Sequence, residues 1–389
     1  VFEAGQRRHR PEGLFAGDLH VLGDVGEDGG FIEGAAELVA LAAGDKITLD
    51  FAGDGLLNVT VDEGTIDALV ENHQLIRANG GQVVMTANAT NALLQTVVNN
   101  TGIIEAQTLE NQSGTIVLKG GFNGGTVNVA GTLDASAPDS GDGGFVDTSG
   151  AHVKIADGTR VTTKANNGTT GEWLIDPTDF TISAGSEALS ESGIGADTLS
   201  DSLSRNNVTL ETPDAGSDAG DLYVNGAVSW DADTTLSLDA HNDIHINETI
   251  TGTNGGLTLN AGGEISASGA VNVGTFNLQS GAWSQLGATL ADFSARDFRF
   301  NTANASFLRA TSGDGSEGNA YRIFDIYGLQ GMASRSLLSS DFTLTSTLDA
   351  SGTANWNGGA GFDPVGFDHA GLAGGRYQDV RIATHRSEV

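Results

Sequence analysis

The chain contains no cysteine, five prolines and two methionines. The lack of cysteine excludes disulfide bonds and thiolate metal sites. Because proline is so scarce beside 56 glycines, a collagen-like chain is excluded and the glycines are expected in turns. No stretch approaches the roughly 20 consecutive apolar residues of a membrane-spanning helix, and the opening VFEAGQRRHRPEG lacks the apolar centre of a signal peptide. Since it also lacks an initiator methionine, we expect an internal piece of a longer protein or a processed product.

Basic residues are also scarce. Lys and Arg number 18 against 50 Asp and Glu, which gives a formal net charge of -32. Such a charge repels phosphate backbones and anionic lipid, so nucleic acid is not expected as a partner. Hydrophobic residues make up 39% of the chain, enough for a core, and we expect the acidic side chains to keep its surface soluble.

A short phrase recurs along the chain: glycine, threonine, then apolar residues at alternate positions. It reads GTIVLKG at Gly114–Gly120, GTVNVAG at Gly125–Gly131 and GTLDAS at Gly131–Ser136. A period of two residues is typical of strands with one apolar face, and imperfect copies bury that face most simply by stacking. The sequence therefore predicts an all-β fold, a parallel β-solenoid, with a few short helical insertions. Assuming about 20 residues per coil, we expect about 15 coils and a rod of about 70 Å.

Interruptions of the alternation suggest where the repeat breaks. Helical spacing predicts short helices over residues 62–70, 89–98 and 197–203, and the apolar block at 173–182 predicts a corner around Asp176-Pro177. Five segments follow from these breaks. They are a divergent amino-terminal segment (1–36), a β-helix segment (37–170), a continuing β-helix segment (171–310), a carboxyl-terminal β-rich segment (311–366) and a divergent tail (367–389).

The order of these blocks resembles the filamentous-haemagglutinin-like exoproteins of Gram-negative two-partner secretion systems. The likeness runs from about residue 37 to 366. The blocks that carry it are AAGDKITLDFAGDGLLNVTVDEGTIDALVEN, NALLQTVVNNTGIIEAQTLENQSGTIVLKGG, GTLDASAPDSGDGGFVDTSGAHVKI, TTGEWLIDPTDFTI, RIFDIYGLQGM and FTLTSTLDASGTANWNGGAGFDPVG.

The resemblance implies a right-handed parallel β-helix that belongs to a secreted or cell-surface adhesin, associated with the outer membrane. It also implies that the parent protein is exported through an outer-membrane transporter partner. The expected binding partners are glycans or proteins on host cells or on other bacteria.

Carboxylates are the obvious candidates for a site. Asp139, Asp142 and Asp147, in PDSGDGGFVD, are spaced as a turn presents oxygen ligands, so they predict a weak calcium site. Asp314 with Glu317 is a fainter version of the same pattern. Close acidic pairs that a glycosidase or lyase would need are expected by chance among 50 acids, and no cation is placed beside them. These pairs are Asp50 with Asp54, Asp62 with Glu63, and Asp176 with Asp179.

Histidines and tryptophans suggest no further site. His241 and His245 are four apart, about 13 Å on a strand, too far to share a metal. The four tryptophans, at 173, 230, 283 and 356, are expected to pack in the core rather than to stack on sugars. We therefore assign no catalytic residue and no cofactor other than the calcium ion.

Two classes of function remain, with a third in the background. The favoured one is a non-enzymatic β-helical adhesin fragment. The alternative is a carbohydrate-active β-helix enzyme, either a polysaccharide lyase or a glycoside hydrolase, which predicts two or three carboxylates and exposed aromatic residues on adjacent coils. A haem- or iron-acquisition exoprotein of the same secretion class is the third, and no haem-ligand pattern supports it.

Overall fold

The structure is a computed structural model. It describes residues 19–22, 24–25, 31–33, 38–43, 46–51, 57–63, 68–88, 96–216 and 218–365. Most of the segment 1–36 and all of 367–389, which the sequence marks as divergent, lie outside the described residues.

The described residues form short strands with few helices. The amino-terminal strands are β1 (Leu19–Leu22), β2 (Asp24–Val25), β3 (Phe31–Glu33), β4 (Leu38–Ala43), β5 (Lys46–Phe51), β6 (Leu57–Glu63), β7 (Leu69–Asn72), β8 (Leu75–Arg77) and β9 (Gln82–Ala87). The next strands are β10 (Thr96–Asn100), β11 (Ile103–Glu105), β12 (Thr115–Lys119), β13 (Gly125–Val129), β14 (Thr132–Asp134), β15 (Phe145–Ser149), β16 (His152–Ile155), β17 (Arg160–Thr162), β18 (Glu172–Asp176), β19 (Phe180–Ser183) and β20 (Gly193–Gly195).

Helix α1 (Ala196–Leu203) separates these strands from the rest. The strands after it are β21 (Asn207–Thr212), β22 (Leu222–Val224), β23 (Val228–Trp230), β24 (Thr235–Ala240), β25 (Ile244–Ile246), β26 (Ile250–Ala261), β27 (Glu264–Ala267), β28 (Val271–Leu278), β29 (Gly281–Leu286), β30 (Phe293–Phe300), β31 (Ala305–Ala310), β32 (Tyr321–Ile323) and β33 (Phe342–Leu344). The remaining helices are α2 (Ile326–Gly331), α3 (Trp356–Gly359) and two 3-10 helices (Arg335–Leu337 and Ser351–Asn355).

The strands stack into three long sheets whose members come from successive coils, so the described chain is a parallel β-helix. The first sheet has the order β1-β4-β9-β12-β15-β18-β21-β24-β26-β28-β30, and the second has the order β7-β10-β13-β16-β20-β19-β22-β25-β27-β29-β31. The third sheet has the order β2-β3-β8-β11-β14-β17. Only the β1–β4 and β2–β3 pairs in these sheets are antiparallel, and β5 and β6 form a separate antiparallel hairpin.

The alternating apolar residues of the sequence line the inside of this stack. In GTIVLKG, Ile116 and Leu118 are fully buried whereas Val117 between them is not. Strand pairing aligns one such position from each coil into a continuous buried row. That row consists of Val39, Val83, Ile116, Val146, Trp173, Val208, Leu236, Leu257, Phe276 and Phe298. Each side chain buried in this way contributes about 1.5–3 kcal/mol of hydrophobic stabilisation.

The coils are fewer than the sequence suggests, and the earlier ones are longer. Leu257 pairs with Phe276, 19 residues on, but Trp173 pairs with Val208, 35 residues on. From β4 to β30 the parallel order of the first sheet stacks ten strands, about 43 Å at about 4.8 Å per strand. The expected coil of about 20 residues is confirmed from β24 to β30, where aligned residues are 19 to 22 apart in sequence. The expected 15 coils and 70 Å rod are wrong for the described residues, because loops and α1 lengthen the earlier coils.

Helix α1 is confirmed where helical spacing predicts it, at 197–203, and it takes the place of a strand in the third face. It lies between β17 and β23. Towards β17, Asn206, which follows the helix, donates from Nδ2 to the Val161 carbonyl at 3.0 Å. Towards β23, Ser200 Oγ of the helix accepts from Ser229 N–H at 2.9 Å. After α1, the third face is continued by β23 and the first halves of β26, β28 and β30.

The two other predicted helices are wrong where the structure describes them. Residues 62–63 belong to β6 and 69–70 to β7, while 96–98 belong to β10; residues 64–67 and 89–95 lie outside the described chain. Val70 and Val98 are aligned in a parallel pair and both are buried, so stacking between coils overrides the local helical spacing. The predicted corner at 173–182 is a turn between β18 of the first sheet and β19 of the second.

Aromatic side chains close the last coils. Trp356 of α3 lies over Phe298 with ring centroids 5.2 Å apart, and over Tyr327 at the same distance. Phe276, Trp283, Phe293 and Phe307 continue this cluster into the interior. The carboxyl-terminal helices therefore cover apolar surface that an open coil would expose to water.

Candidate functional site

A row of acidic side chains crosses the outer face of the first sheet, near the carboxyl ends of its strands. Ser149 is aligned with Asp176, and Glu211 with Asp239. Ile175 of β18 is aligned with Leu210 of β21, so the acids that follow them, Asp176 and Glu211, are neighbours. Asp147 lies two residues before Ser149 on the same face of β15. Together these four acids, Asp147, Asp176, Glu211 and Asp239, form the carboxylate row.

Local sequence explains why these acids point outward together. Three of them directly follow an apolar-x-apolar triplet whose outer members are buried: Trp173–Ile175, Val208–Leu210 and Leu236–Leu238. A residue after such a triplet faces away from the core, because side chains alternate along a strand. Stacking then places the acids on neighbouring strands about 4.8 Å apart.

Asp176 has the most perturbed carboxyl group of the row. Burial, together with the negative charges of Glu211 and Asp147, raises the pKa of Asp176 to about 7. Its Oδ1 atom is buried and has no hydrogen-bond partner. An ionised carboxylate is disfavoured in such a place, so Asp176 holds a proton up to about neutral pH.

The other members of the carboxylate row are shifted in the same direction. Burial raises the pKa of Asp147, against the effect of a hydrogen bond from Ser149. Burial followed by the charge of Asp239 raises the pKa of Glu211, and burial raises that of Asp239 although Asn260 Nδ2 donates to it at 2.7 Å. Burial is the largest cause for all four groups and explains the common direction, while the charges of neighbouring acids add to it at Asp176 and Glu211.

The loop after β21 packs against this edge of the first sheet. A side-chain carbon at Gly216 would lie 2.8 Å from Thr178 Cγ2 and 3.3 Å from the Phe122 carbonyl oxygen, so the Gly216 backbone packs closely against both residues. Thr178 Oγ1 donates to Asp218 Oδ2 at 2.5 Å. The loop therefore packs on the turn that directly follows β18, which ends at Asp176.

The three residues predicted to bind calcium are placed on two different elements. Asp139 and Asp142 lie in an exposed turn, where Asp142 Oδ1 accepts from Thr169 N–H at 2.7 Å, whereas Asp147 lies on β15 in the carboxylate row. They are not grouped so that one oxygen from each lies within 4.8 Å of the others. Calcium binding by Asp139, Asp142 and Asp147 stays a prediction, and calorimetry with calcium tests it.

The acidic residues that the sequence pairs have different surroundings in the structure. Asp176 belongs to the carboxylate row, but Asp179 lies in the following turn, where its Oδ1 accepts from the N–H groups of Gly220 and Asp221 at 2.8 Å each. Asp314 Oδ1 accepts from Ser316 N–H at 3.0 Å, as in an ordinary turn. The side chains of the pairs at 50 and 54 and at 62 and 63 lie outside the described residues.

The four tryptophans pack in the core, as the sequence predicts. Trp173, Trp230, Trp283 and Trp356 are all buried, so none of them forms an exposed platform for a sugar ring. His241 is exposed in a turn and His245 is partly exposed on β25, where it meets acids from two coils.

No protein-family model and no curated protein matches the chain. None of the helices in the described residues is long and apolar enough to cross a membrane.

Chemically, the carboxylate row combines proton donors and acceptors. A carboxyl group with a pKa near 7 gives up or takes a proton at neutral pH, and a neighbouring carboxylate accepts one. Glu211 and Asp239 are not among the residues singled out in the sequence, because Glu211 adjoins Asp176, and Asp239 adjoins Glu211, only after folding. The recurring apolar-x-apolar-acid pattern is the signal that identifies them once the coils are aligned.

Proposed function

We propose that this chain is a non-enzymatic, β-helical segment of a secreted or cell-surface adhesin that attaches to glycans or proteins on host cells or other bacteria. The observation that carries the proposal is the parallel stack from β4 to β30, which presents polar side chains on the outside of an elongated body. The resemblance of the ordered sequence blocks to filamentous-haemagglutinin-like exoproteins supports it as well. The parent protein is then exported through an outer-membrane transporter partner.

Attachment is tested with beads that carry the purified chain. Coated beads should adhere to epithelial cells, to a panel of Gram-negative bacteria or to a glycan array above the level of beads coated with an unrelated protein of similar net charge. Soluble chain added in excess should displace them, because specific attachment saturates. Retention equal to the control on all three targets would overturn the proposal.

One observation favours a second candidate, a carbohydrate-active enzyme that uses the carboxylate row. Asp176, with its pKa near 7, adjoins an acid on the next coil, an arrangement suited to a general acid beside a base or nucleophile. The buried tryptophans count against this candidate, since it predicts exposed aromatic residues. Release of reducing or unsaturated ends from a polysaccharide panel, lost in Asp176→Asn but kept in Asp157→Asn, would favour the enzyme over the adhesin.

A further inference from the structure

A second cluster of titratable side chains lies at the amino-terminal ends of two neighbouring strands in the second sheet. Strands β22 and β25 pair so that Tyr223 is aligned with His245, and Asp221 and Asp243 directly precede the two strands. One ligand atom from each of Asp221, Asp243 and His245 lies within 4.8 Å of the other two. All three residues are partly exposed, so an ion could reach them from solvent.

Neighbouring groups hold both carboxylates in place. Asp221 Oδ1 accepts from Asn242 Nδ2 at 2.8 Å and from Asp243 N–H at 3.1 Å, while its Oδ2 accepts from the Tyr223 hydroxyl at 2.9 Å. Asp243 Oδ1 accepts from Glu264 N–H at 2.7 Å. Both lone pairs of Asp221 Oδ1 are used by these bonds, but Asp221 Oδ2 and Asp243 Oδ1 each keep a second lone pair for an ion. The bonds therefore orient the two carboxylates and leave one oxygen of each able to bind.

The imidazole is oriented in the same manner. The His245 ring stacks on Tyr223, with centroids 4.8 Å apart and planes inclined by 16°, and its Nδ1 lies 3.0 Å from Ser266 Oγ. A histidine ligand whose other contacts are fixed by a hydroxyl and an aromatic ring binds an ion with little loss of side-chain freedom.

Asp179, Asp221 and Asp243 occupy the same position on three successive coils, but only the pair Asp221 and Asp243 has a histidine beside it. Asp179 occupies the same position one coil earlier and also accepts backbone N–H groups, from Gly220 and Asp221. There the residue aligned with His245 is Tyr223, whose hydroxyl donates to Asp221. Each acid therefore accepts backbone N–H groups from the next coil. Beside Asp221 and Asp243, the His245 imidazole adds a nitrogen ligand to the two carboxylates.

We propose that Asp221, Asp243 and His245 form a surface binding site for a divalent transition-metal ion of the zinc class, with an open coordination position. One imidazole and two carboxylates suit Zn²⁺, whereas Ca²⁺ and Mg²⁺ take oxygen ligands. Two carboxylates balance the charge of the ion. Three protein ligands leave the fourth tetrahedral position for water or for a donor atom from another molecule.

The test is titration of the chelator-treated full chain with Zn²⁺ by isothermal calorimetry, with Ca²⁺ in a parallel run. We expect one Zn²⁺ site that Ca²⁺ at equal concentration does not displace. His245→Phe, which keeps a ring on Tyr223, and Asp243→Asn, which keeps an acceptor for Glu264 N–H, should each weaken Zn²⁺ binding at least about 10-fold. Metal-free melting temperatures verify that both variants fold.

A matched control separates the site from unspecific binding to an acidic surface. His241→Phe removes an exposed histidine four residues away, and Asp157→Asn removes an acid exposed in a turn outside the cluster; both should bind Zn²⁺ as the unaltered chain does. Addition of Co²⁺ should also give a visible ligand-field absorption band that His245→Phe lacks. Zn²⁺ binding unaffected by His245→Phe, or equally weakened by His241→Phe, would overturn the proposal, as would displacement by equimolar Ca²⁺.

Discussion

Asp176 illustrates how a coil position alters the chemistry of a single residue. On an isolated strand its carboxyl group would face water and ionise near its ordinary pKa. In the stack it adjoins Glu211, lies near Asp147 and has one oxygen buried without a partner, and its pKa rises to about 7. Lys119 opposes this shift but does not reverse it, since burial is the larger cause.

We predict that Asp176→Asn stabilises the protein at pH 8 and has little effect near pH 4. Because the folded-state pKa lies above the unfolded value of 3.8, stability linked to this group is fully present below about pH 4 and is lost as the pH rises through 7. An amide removes the ionisation and so removes that loss. Melting temperatures by circular dichroism, measured at pH 4 and pH 8, check this.

Asp157→Asn is the matched control for this prediction, since Asp157 lies exposed in a turn. It should change the melting temperature little at either pH. Equal stabilisation by both variants at pH 8 would indicate relief of net negative charge, and it would contradict a specific effect at Asp176.

At the scale of elements, helix α1 replaces a strand in the third face of the β-helix, between β17 and β23, and side-chain hydrogen bonds hold it there. Asn206 follows the helix and is fully buried. Its Oδ1 accepts from Thr163 N–H at 2.6 Å, while its Nδ2 donates to the carbonyls of Val161 at 3.0 Å and Ser202 at 2.8 Å. Arg205 also donates to the carbonyls of Val161 and Ser202, whereas Asn206 Oδ1 is the acceptor for the Thr163 N–H that follows β17.

We predict that Asn206→Ala lowers the free energy of unfolding by about 2–4 kcal/mol, because the buried Thr163 N–H loses its acceptor and the other buried hydrogen bonds of the Asn206 side chain are lost with it. Urea unfolding at pH 7 measures the change. Asn247→Ala removes an exposed bond between coils, Asn247 Nδ2 to Asn225 Oδ1 at 2.7 Å, and should cost only about 0.5 kcal/mol. Similar losses for the two variants would show that α1 does not depend on Asn206.

Glycines at the start of two first-sheet strands allow the backbones of successive coils to approach closely. A side-chain carbon at Gly144 would lie 2.1 Å from the Gly114 carbonyl oxygen, and one at Gly171 would lie 2.0 Å from the Gly144 carbonyl oxygen. Neither position needs a left-handed backbone. Gly144 and Gly171 are therefore required by the close approach of successive coils, as is Gly131 at the start of GTLDAS, where a side-chain carbon would lie 2.0 Å from the Gly102 carbonyl oxygen.

At the scale of the whole molecule, alternation of apolar residues was enough to predict the parallel stack. It could not predict coil length, because residues in turns and in α1 add to a coil without altering the period-two pattern of its strands. Helical spacing was reliable at 197–203 and misleading at 96–98, where Val98 is held in a strand by its neighbours on adjacent coils. Local patterns contain no information about such neighbours.

The candidate site was less predictable than the fold. The sequence grouped Asp147 with Asp142 as calcium ligands and Asp176 with Asp179 as an acidic pair. In the structure Asp142 and Asp179 instead accept backbone N–H groups in turns. Glu211 joins Asp176 across 35 residues of chain, and Asp221 joins His245 across 24, so sequence spacing does not reveal either contact. The register of the strands decides which acids meet.

Disulfide trapping tests the central claim, that stacking aligns the carboxylate row on adjacent coils, most directly. The chain has no cysteine, so introduced pairs react without a background. Glu211→Cys with Asp239→Cys places thiols on aligned positions about 4.8 Å apart and should cross-link under mild oxidation, as seen by a shift in non-reducing electrophoresis. Glu211→Cys with Asn260→Cys spans two strand spacings, about 9.6 Å, and should stay reduced. Cross-linking of the second pair with none of the first would contradict the account.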